Sequence, residues 1–230
     1  MKKILLLGFL FSYVFGFQAQ TDKAPKIVVG IVVDQMCYDY LYRFQHLYTT
    51  GGFNRLLVKG TNCRNTQYNY VPTYTAPGHA SIYTGTTPAN HGIVGNDWYV
   101  RDLQKTVTSV SDERYQTVGS ASGGQAAPMN LLTYTITDQL KLASPQSKVI
   151  SLSIKDRSAI LPGGHLSDGS YWFDYQSGDF VTSTFYKDAL PIWVARFNAK
   201  FDPAKDLRPW RLLLPESTYL MADASPYEVV

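Results

Sequence analysis

An apolar run over residues 26–33 (KIVVGIVV) constrains the fold of this 230-residue chain more than any other segment. The run is mostly β-branched and shows no alternation of apolar and polar residues. Such a pattern is typical of a strand buried on both faces, as in the parallel sheets of α/β proteins. Asp34 follows directly, at the carboxyl end of the expected strand, where open α/β sheets place their ligands. The sequence therefore predicts an α/β fold with a functional carboxylate at Asp34.

The remaining patterns alternate between helix and strand, which supports the α/β class. Helices are predicted over residues 38–58 (broken at Gly51-Gly52), 75–85, 131–142 and 189–199. Strands are predicted over residues 62–70 and 148–154, and a hairpin over 171–184 turning at Ser177-Gly178. We expect one domain over residues 21–230, in which residues 171–230 lead into a small aromatic-rich cap.

Residues 1–20 have the pattern of an export signal. Lys2 and Lys3 precede an apolar run over residues 4–17, and polar residues follow it. A membrane span needs about 20 apolar residues, so a cleaved signal fits better than the alternative, an N-terminal anchor. We expect a periplasmic or secreted protein without stable membrane insertion once the signal is removed.

Charge and cysteine content exclude two classes of function. The formal net charge is +3 and falls further without Lys2 and Lys3, so no concentrated basic surface for nucleic acid is indicated. Cys37 and Cys63 are too few for a disulfide framework and lack the spacing of a zinc site. We interpret them as independent small hydrophobic side chains, with pairing in an oxidising compartment as the alternative.

Polar side chains lie at the ends of two predicted strands and at the start of one predicted helix. Thr75 begins a helix, where free backbone N–H groups and the positive dipole end suit a phosphoryl oxyanion. A threonine hydroxyl is a nucleophile only when a base or metal ionises it, and Asp34 offers an oxygen ligand for such a metal. Lys155 and Arg157 would alternate at a strand end and hold a dianionic group together. Taken singly, these residues also fit a helix cap, a turn and a solvated face.

Taken together, three segments match a known family. The stretches VVDQMCYDYLYRF, NYVPTYTAPGHASIYTGTTPANHGIVGNDWY and SLSIKDRSAILPGGH resemble the phosphate-irrepressible bacterial alkaline phosphatases. These belong to the nucleotide pyrophosphatase/phosphodiesterase branch of the alkaline phosphatase superfamily. The resemblance runs from about residue 26 to the chain end and is most specific over 75–99. It implies a mostly parallel sheet flanked by helices, with the C-terminal part of the fold missing.

The resemblance also implies a role for each candidate site residue. Asp34 and Thr75 would be ligands in a site that holds two Zn²⁺ ions, and Thr75 would be the nucleophile that forms a phosphothreonine intermediate. Asn96 would hydrogen-bond a phosphoryl oxygen, and Lys155 and Arg157 would contact the others. This division of labour suits phosphoryl transfer, which depends on positioning and charge neutralisation.

The paired cations bear on the substrate. A phosphate monoester carries more charge on its phosphoryl group than a diester, so Lys155 and Arg157 favour monoesters. We therefore predict a zinc-dependent phosphomonoesterase, an alkaline phosphatase, that acts as a monomer on small phosphate monoesters. The alternatives are a phosphodiesterase or nucleotide pyrophosphatase of the same superfamily, and a non-catalytic anion- or glycan-binding domain.

The histidines depart from the family pattern. The remaining zinc ligands of the family are aspartates and histidines of a later half, and His46, His79, His91 and His165 do not occur in that context. His79 is structural by the resemblance, and both His79 and His91 would ordinarily be surface or cap residues. We therefore expect the 230-residue chain alone to be inactive with added Zn²⁺.

Overall fold

The computed structural model describes residues 25–122, 125–206, 208–209 and 211–219, so the predicted signal over 1–20 lies outside the described residues. By its contacts the chain forms two units, residues 1–33 and 34–230. The described part of the first unit, residues 25–33, contains neither helix nor strand. None of the helices in the described ranges has the length and apolar character needed to cross a membrane.

The second unit combines short helices with short strands. The helices are α1 Tyr40–Arg43, α2 Gly52–Lys59, α3 Thr75–Thr84, α4 Pro88–His91, α5 Ile136–Ala143, α6 Asp156–Gly163, α7 Ile192–Asn198 and α8 Pro203–Asp206. Turns of 3₁₀-helix occur at Gln45–Leu47, Pro128–Asn130 and Glu216–Thr218. The strands are β1 Asp97–Val100, β2 Lys105–Thr108, β3 Thr117–Val118, β4 Ile150–Ser153, β5 Gly169–Asp174 and β6 Asp179–Ser183.

The main sheet has the strand order β3-β6-β5-β4. Strand β4 pairs parallel with β5, while β5–β6 and β3–β6 are antiparallel. Strands β1 and β2 form a separate antiparallel pair. The fold is α/β as predicted, but the sheet in the described residues is mixed rather than mostly parallel.

The contact between α3 and α6 forms the centre of the core. Ala76 and Ala80 of α3 and Ala159 of α6 are fully buried, as are Ile160 and Leu161. All five belong to one hydrophobic cluster that also includes Trp172 of the sheet and Val181. Small side chains let two helices approach closely at native packing density. Both helices are thereby fixed at a short separation.

The C-terminal end of α6 is held just as tightly. A Cβ atom at Gly163 would collide with the Ser170 hydroxyl, and one at Gly164 would collide with the Asp138 carboxylate. Gly164 also has φ +72°, in the left-handed region that favours glycine. The chain can leave the helix at this point only because both residues lack a side chain.

Asp138 is a buried carboxylate next to this tightly packed helix end. It is fully buried and forms a capping box with Thr135 at the start of α5. Its carboxylate also accepts a hydrogen bond from the Leu166 N–H at 2.7 Å. Burial works against the charged form, but hydrogen bonds from His165, Thr135 and the Leu166 backbone outweigh it, so the pKa of Asp138 lies below its usual range.

Several predicted elements are confirmed with shifted bounds. Helix α3 closes at Gly85 (φ +68°), and the hairpin β5–β6 turns at Gly178 (φ +77°), as the turn residues predict. The predicted helix over residues 38–58 is divided into α1, a 3₁₀ turn and α2. The helices predicted over 131–142 and 189–199 begin later than expected, at Ile136 and Ile192. The strand over 148–154 is β4.

Three strand predictions are wrong in whole or in part. Residues 26–33 form no strand ladder in the described part of the chain, and Ile27 and Ile31 are each 80% exposed. A strand buried on both faces needs layers over both, and these side chains lack them. Residues 62–70 form turns and irregular loop, because Asn and Arg favour local turns there. On β4, Ile150 and Leu152 are more than half exposed, so the strand is not buried on both faces.

We expect Asp138→Asn to lower the free energy of unfolding of the parent protein by about 3 kcal/mol. The parent protein is this chain with any residues its gene encodes beyond residue 230. The carboxylate pKa is lowered by folding, so its contribution is present above the unfolded pKa and is lost as pH falls through the folded pKa. The deficit of the variant should therefore shrink in acid. Urea unfolding at neutral and acid pH measures this, with the exposed Asp188→Asn as control.

Candidate active site

Thr75 and Asp34 form the centre of the candidate site. Thr75 is the first residue of α3, after an extended Tyr74 at the N-cap. Its hydroxyl donates a hydrogen bond to Asp34 Oδ2 at 3.1 Å. Asp34 lies in a turn in which Gln35 takes a left-handed backbone conformation, with φ 59°. The carboxylate thus faces a helix N-terminus, as the sequence predicts.

Lys155 lies close to Asp34 and is the third residue of the candidate site. Its Nζ lies 4.0 Å from Asp34 Oδ2, and both side chains are about half exposed. The predicted alternation on a strand end is wrong, because β4 ends at Ser153 and Lys155 is the N-cap of α6. The positive end of the α6 dipole therefore lies beside the lysine.

Arg157 lies in the first turn of α6, two residues after Lys155. Its Nη1 is 3.8 Å from Asp156 Oδ1. Its Nε is buried and has no hydrogen-bond partner among the described residues. A buried guanidinium N–H without a partner is costly, and a bound oxyanion would satisfy it. No recorded contact joins Arg157 directly to Asp34 or Thr75 within the described ranges.

Asn96 is connected to the candidate site by a hydrogen bond from the backbone of α3. Its Oδ1 accepts a hydrogen bond from the Ala76 N–H at 2.9 Å, and its backbone oxygen accepts from the Ser109 N–H at 2.8 Å. Because the Ala76 N–H needs an oxygen acceptor, the amide orientation is fixed. The Nδ2 end of the amide is then a donor, on a side chain hydrogen-bonded to the residue after Thr75.

Two histidines support this arrangement from inside the protein. His79 is 5% exposed, and its Nδ1–H donates to the Thr75 carbonyl at 2.7 Å. His91 is fully buried and contacts Ser81 of α3. The expectation that both are surface or cap residues is wrong. Their apolar neighbours in the sequence, such as Ala80 and Ile93, are the signal that could have indicated burial.

A metal ion fits part of this donor set. The Asp34 carboxylate and the Thr75 hydroxyl are oxygen donors 3.1 Å apart, a separation typical of ligands that share a cation. Across the described ranges, no group of three or more His, Cys, Asp or Glu side chains could hold a metal. Cys37 and Cys63 are free and exposed, so they do not pack as the small hydrophobic side chains that the sequence predicts. The described residues thus bring two oxygen donors together at this point, Asp34 and Thr75.

The family profile for type I phosphodiesterases and nucleotide pyrophosphatases matches residues 28–206. The chain belongs to this family. The matched region contains Asp34, Thr75, Asn96, Lys155 and Arg157, and it ends just before the last described residues.

Curated relatives place the chain within one group of the family. It is 51% identical over 214 residues to alkaline phosphatase PhoV of Synechococcus elongatus, covering 91% of this chain and 39% of PhoV. It is 49% identical over 223 residues to alkaline phosphatase PafA of Elizabethkingia meningoseptica, covering 95% of this chain and 41% of PafA. The chain therefore spans about two fifths of the length of these relatives.

Solved structures of PafA show the same fold. The wild-type crystal structure matches with a TM-score of 0.82 and 51% identity, over 85% of this chain and 38% of PafA. A second crystal structure matches with a TM-score of 0.78 and 49% identity, over 81% of this chain and 37% of PafA. It is of a PafA variant with one threonine, one asparagine, one lysine and one arginine substituted. The chain has part of the alkaline phosphatase fold.

We expect the two substitutions Asn96→Ala and Asn96→Asp to affect stability differently. Asn96→Ala leaves the Ala76 N–H at the start of α3 without its acceptor, at a cost of about 1 kcal/mol. Asn96→Asp keeps an oxygen there and places a negative charge at a helix N-terminus, so stability should stay near that of the parent protein. Thermal unfolding of both variants measures this. Equal losses in both would contradict the assigned amide orientation.

Proposed function

We propose that the protein carrying this chain is a zinc-dependent phosphomonoesterase, an alkaline phosphatase, that acts through a phosphothreonine intermediate on Thr75. The observation that carries the proposal is the contact of the Thr75 hydroxyl with Asp34 at the N-terminus of α3. The names of the relatives PhoV and PafA support the activity. Because the chain covers two fifths of their length, the activity is a proposal for the parent protein.

Thr75 is positioned to attack a phosphoryl group. Its hydroxyl already donates to Asp34, which orients the oxygen and accepts from the group that must lose a proton. Asp34 and Thr75 would hold one edge of the zinc site. Zinc, when bound, would favour the ionised hydroxyl and offset phosphoryl charge. His79 holds the Thr75 carbonyl, so the backbone that carries the nucleophile stays fixed.

The oxygens of the phosphoryl group have three kinds of partner. At the start of α3 the Ala76 and Gly78 N–H groups already donate to protein oxygens and residue 77 is proline, so the helix offers an anion the Thr75 N–H and its positive dipole end, close to the Asn96 side chain. Lys155 supplies a mobile point charge, since its side chain is half exposed. Arg157 supplies a buried N–H that has no protein partner in the described residues. These groups orient the phosphoryl group and neutralise its charge, which is most of phosphoryl-transfer catalysis.

The substituted residues of the PafA variant support these roles. Its threonine and asparagine are 21 positions apart and its lysine and arginine two apart, the same intervals as in the present chain. Here the corresponding residue types in the same order are Thr75, Asn96, Lys155 and Arg157. Agreement in type, in order and in the interval within each pair favours an equivalent set over chance resemblance.

The family description favours a second candidate, a phosphodiesterase or nucleotide pyrophosphatase. It would share Asp34, Thr75 and Asn96. The paired Lys155 and Arg157 favour a monoester, because a second ester substituent would lower the charge that they neutralise. We also propose small phosphate monoesters as substrates, action as a monomer, and export guided by the pattern of residues 1–20.

In the parent protein, we expect Thr75→Ala to abolish hydrolysis of p-nitrophenyl phosphate and to leave zinc content largely unchanged. The change removes the attacking oxygen, while most zinc affinity comes from carboxylates and imidazoles rather than a neutral hydroxyl. Thr75→Ser keeps the oxygen and should retain measurable activity. Steady-state kinetics and metal analysis test both, with the exposed Thr106→Ala as control. Near-normal activity of Thr75→Ala would overturn the nucleophile assignment.

We expect Lys155→Ala and Arg157→Ala to change specificity as well as rate. Loss of one charge-assisted contact should lower monoester kcat/KM about tenfold to hundredfold, corresponding to about 1.5–3 kcal/mol. Hydrolysis of bis(p-nitrophenyl) phosphate should fall less, because its phosphoryl group carries one charge fewer. Kinetics on both esters measure the ratio, with the exposed Lys187→Ala as control. Equal losses on both esters would indicate a structural role, and a diester preference in the parent protein would favour the second candidate.

A further inference from the structure

His91 has both ring nitrogens engaged inside the protein. It is the last residue of α4 and is fully buried. Its Nδ1 accepts a hydrogen bond from the Ile93 N–H at 3.1 Å. Its Nε2 lies 2.9 Å from the Ser81 hydroxyl oxygen. Because a backbone N–H can bind only an unprotonated Nδ1, the neutral ring carries its proton on Nε2 and donates it to Ser81. Burial also lowers the pKa of His91, which favours this neutral form.

The ring therefore bridges two segments that carry site residues. Ser81 lies on α3, the helix that begins at Thr75. Ile93 lies in the loop that runs from α4 to β1 and contains Asn96. No shared backbone hydrogen bond is recorded between Ser81 and Ile93 in the described ranges, so the imidazole is the polar link at this point.

The loop beyond His91 is constrained along its length. Gly92 has φ +80°, and a Cβ there would lie 2.8 Å from Leu132 Cγ. The side chain of Ile93 is fully buried. At the end of the loop, Asn96 accepts from the Ala76 N–H. The loop thus meets α3 at two points, Ser81 through His91 and Ala76 through Asn96. A loop held at both points has little freedom to move its amide relative to Thr75.

We propose that His91, as its Nε2–H tautomer, is a positioning residue that holds the Asn96 amide in register with Thr75. The inference rests on the proposed function for its activity readout, and it extends that function to a residue outside the site. His91 touches no reacting atom. It acts through Ile93 N–H and Ser81, which fix where the loop carries Asn96.

Two substitutions of similar size each remove one of the two hydrogen bonds that the His91 ring makes. Asparagine places an acceptor where Nδ1 lies, so His91→Asn keeps the Ile93 bond and loses the Ser81 bond. Glutamine places a donor where Nε2 lies, so His91→Gln keeps the Ser81 bond and leaves the Ile93 N–H unpaired. In the parent protein we expect His91→Gln and His91→Asn each to lower monoester kcat/KM about tenfold, because the link between the loop and α3 needs both bonds. The exposed His46→Gln is the matched control.

A double-mutant cycle distinguishes positioning from general stability. If His91 acts through Asn96, the tenfold effect of His91→Gln should shrink to within about twofold once Asn96→Ala is present. An equal effect in both backgrounds overturns the proposal, as does near-normal activity of His91→Asn, in which the bond to Ser81 is lost. If His91→Gln fails to fold, Ser81→Ala replaces it in the same cycle, and its effect should likewise vanish beside Asn96→Ala.

Amide hydrogen exchange tests the inference without activity. The Ala76 N–H should exchange about tenfold faster in His91→Gln than in the parent protein, because its acceptor is no longer held in place. A similar increase is expected in His91→Asn, which loses the bond to Ser81. Unchanged exchange in His91→Gln would overturn the proposal. If the parent protein hydrolyses neither ester while exchange behaves as expected, the proposed function fails and the positioning role stands.

Discussion

The close contact of α3 with α6 is the interaction on which the rest of the site depends. Buried alanines at Ala76, Ala80 and Ala159 let the two helices lie against each other without intervening bulk. Each helix begins at a site residue, Thr75 in α3 and Lys155 at the cap of α6. Two helix N-termini therefore converge near one carboxylate, Asp34, and together supply a positive field for an anion. A larger side chain at these alanines would move Thr75 away from Lys155.

Much of the site was predictable because its residues mark the starts of elements. Thr75 before Pro77, and a closing Gly85, indicate a helix whatever surrounds them, and the structure places α3 there. The Asp34–Thr75 contact is present as expected, although Asp34 lies in a turn and not at the end of a strand. The local pattern of residues 26–33 does not determine whether they form a strand, because a strand needs a hydrogen-bonded partner elsewhere in the chain.

The residues that prediction missed are those whose role depends on tertiary contacts. His91 reads as polar in the sequence, yet it is fully buried because Ser81 and the Ile93 N–H satisfy both of its nitrogens. The placement of Lys155 was missed for a related reason. Strand β4 ends at Ser153 and α6 begins at Asp156. The residues that the sequence predicts as the end of the strand therefore include the N-cap of the helix. Short elements give periodicity too few residues to indicate where one ends.

The glycine pair at the end of α6 has a consequence for the other end of the same helix. Gly163 lies against Ser170 and Gly164 against Asp138, so neither position has room for a side chain. A substitution at either glycine would displace the C-terminal end of α6, and Lys155 and Arg157 at the N-terminal end of this eight-residue helix would be displaced with it. The placement of both cations therefore depends on two residues that carry no charge and lie at the far end of the helix.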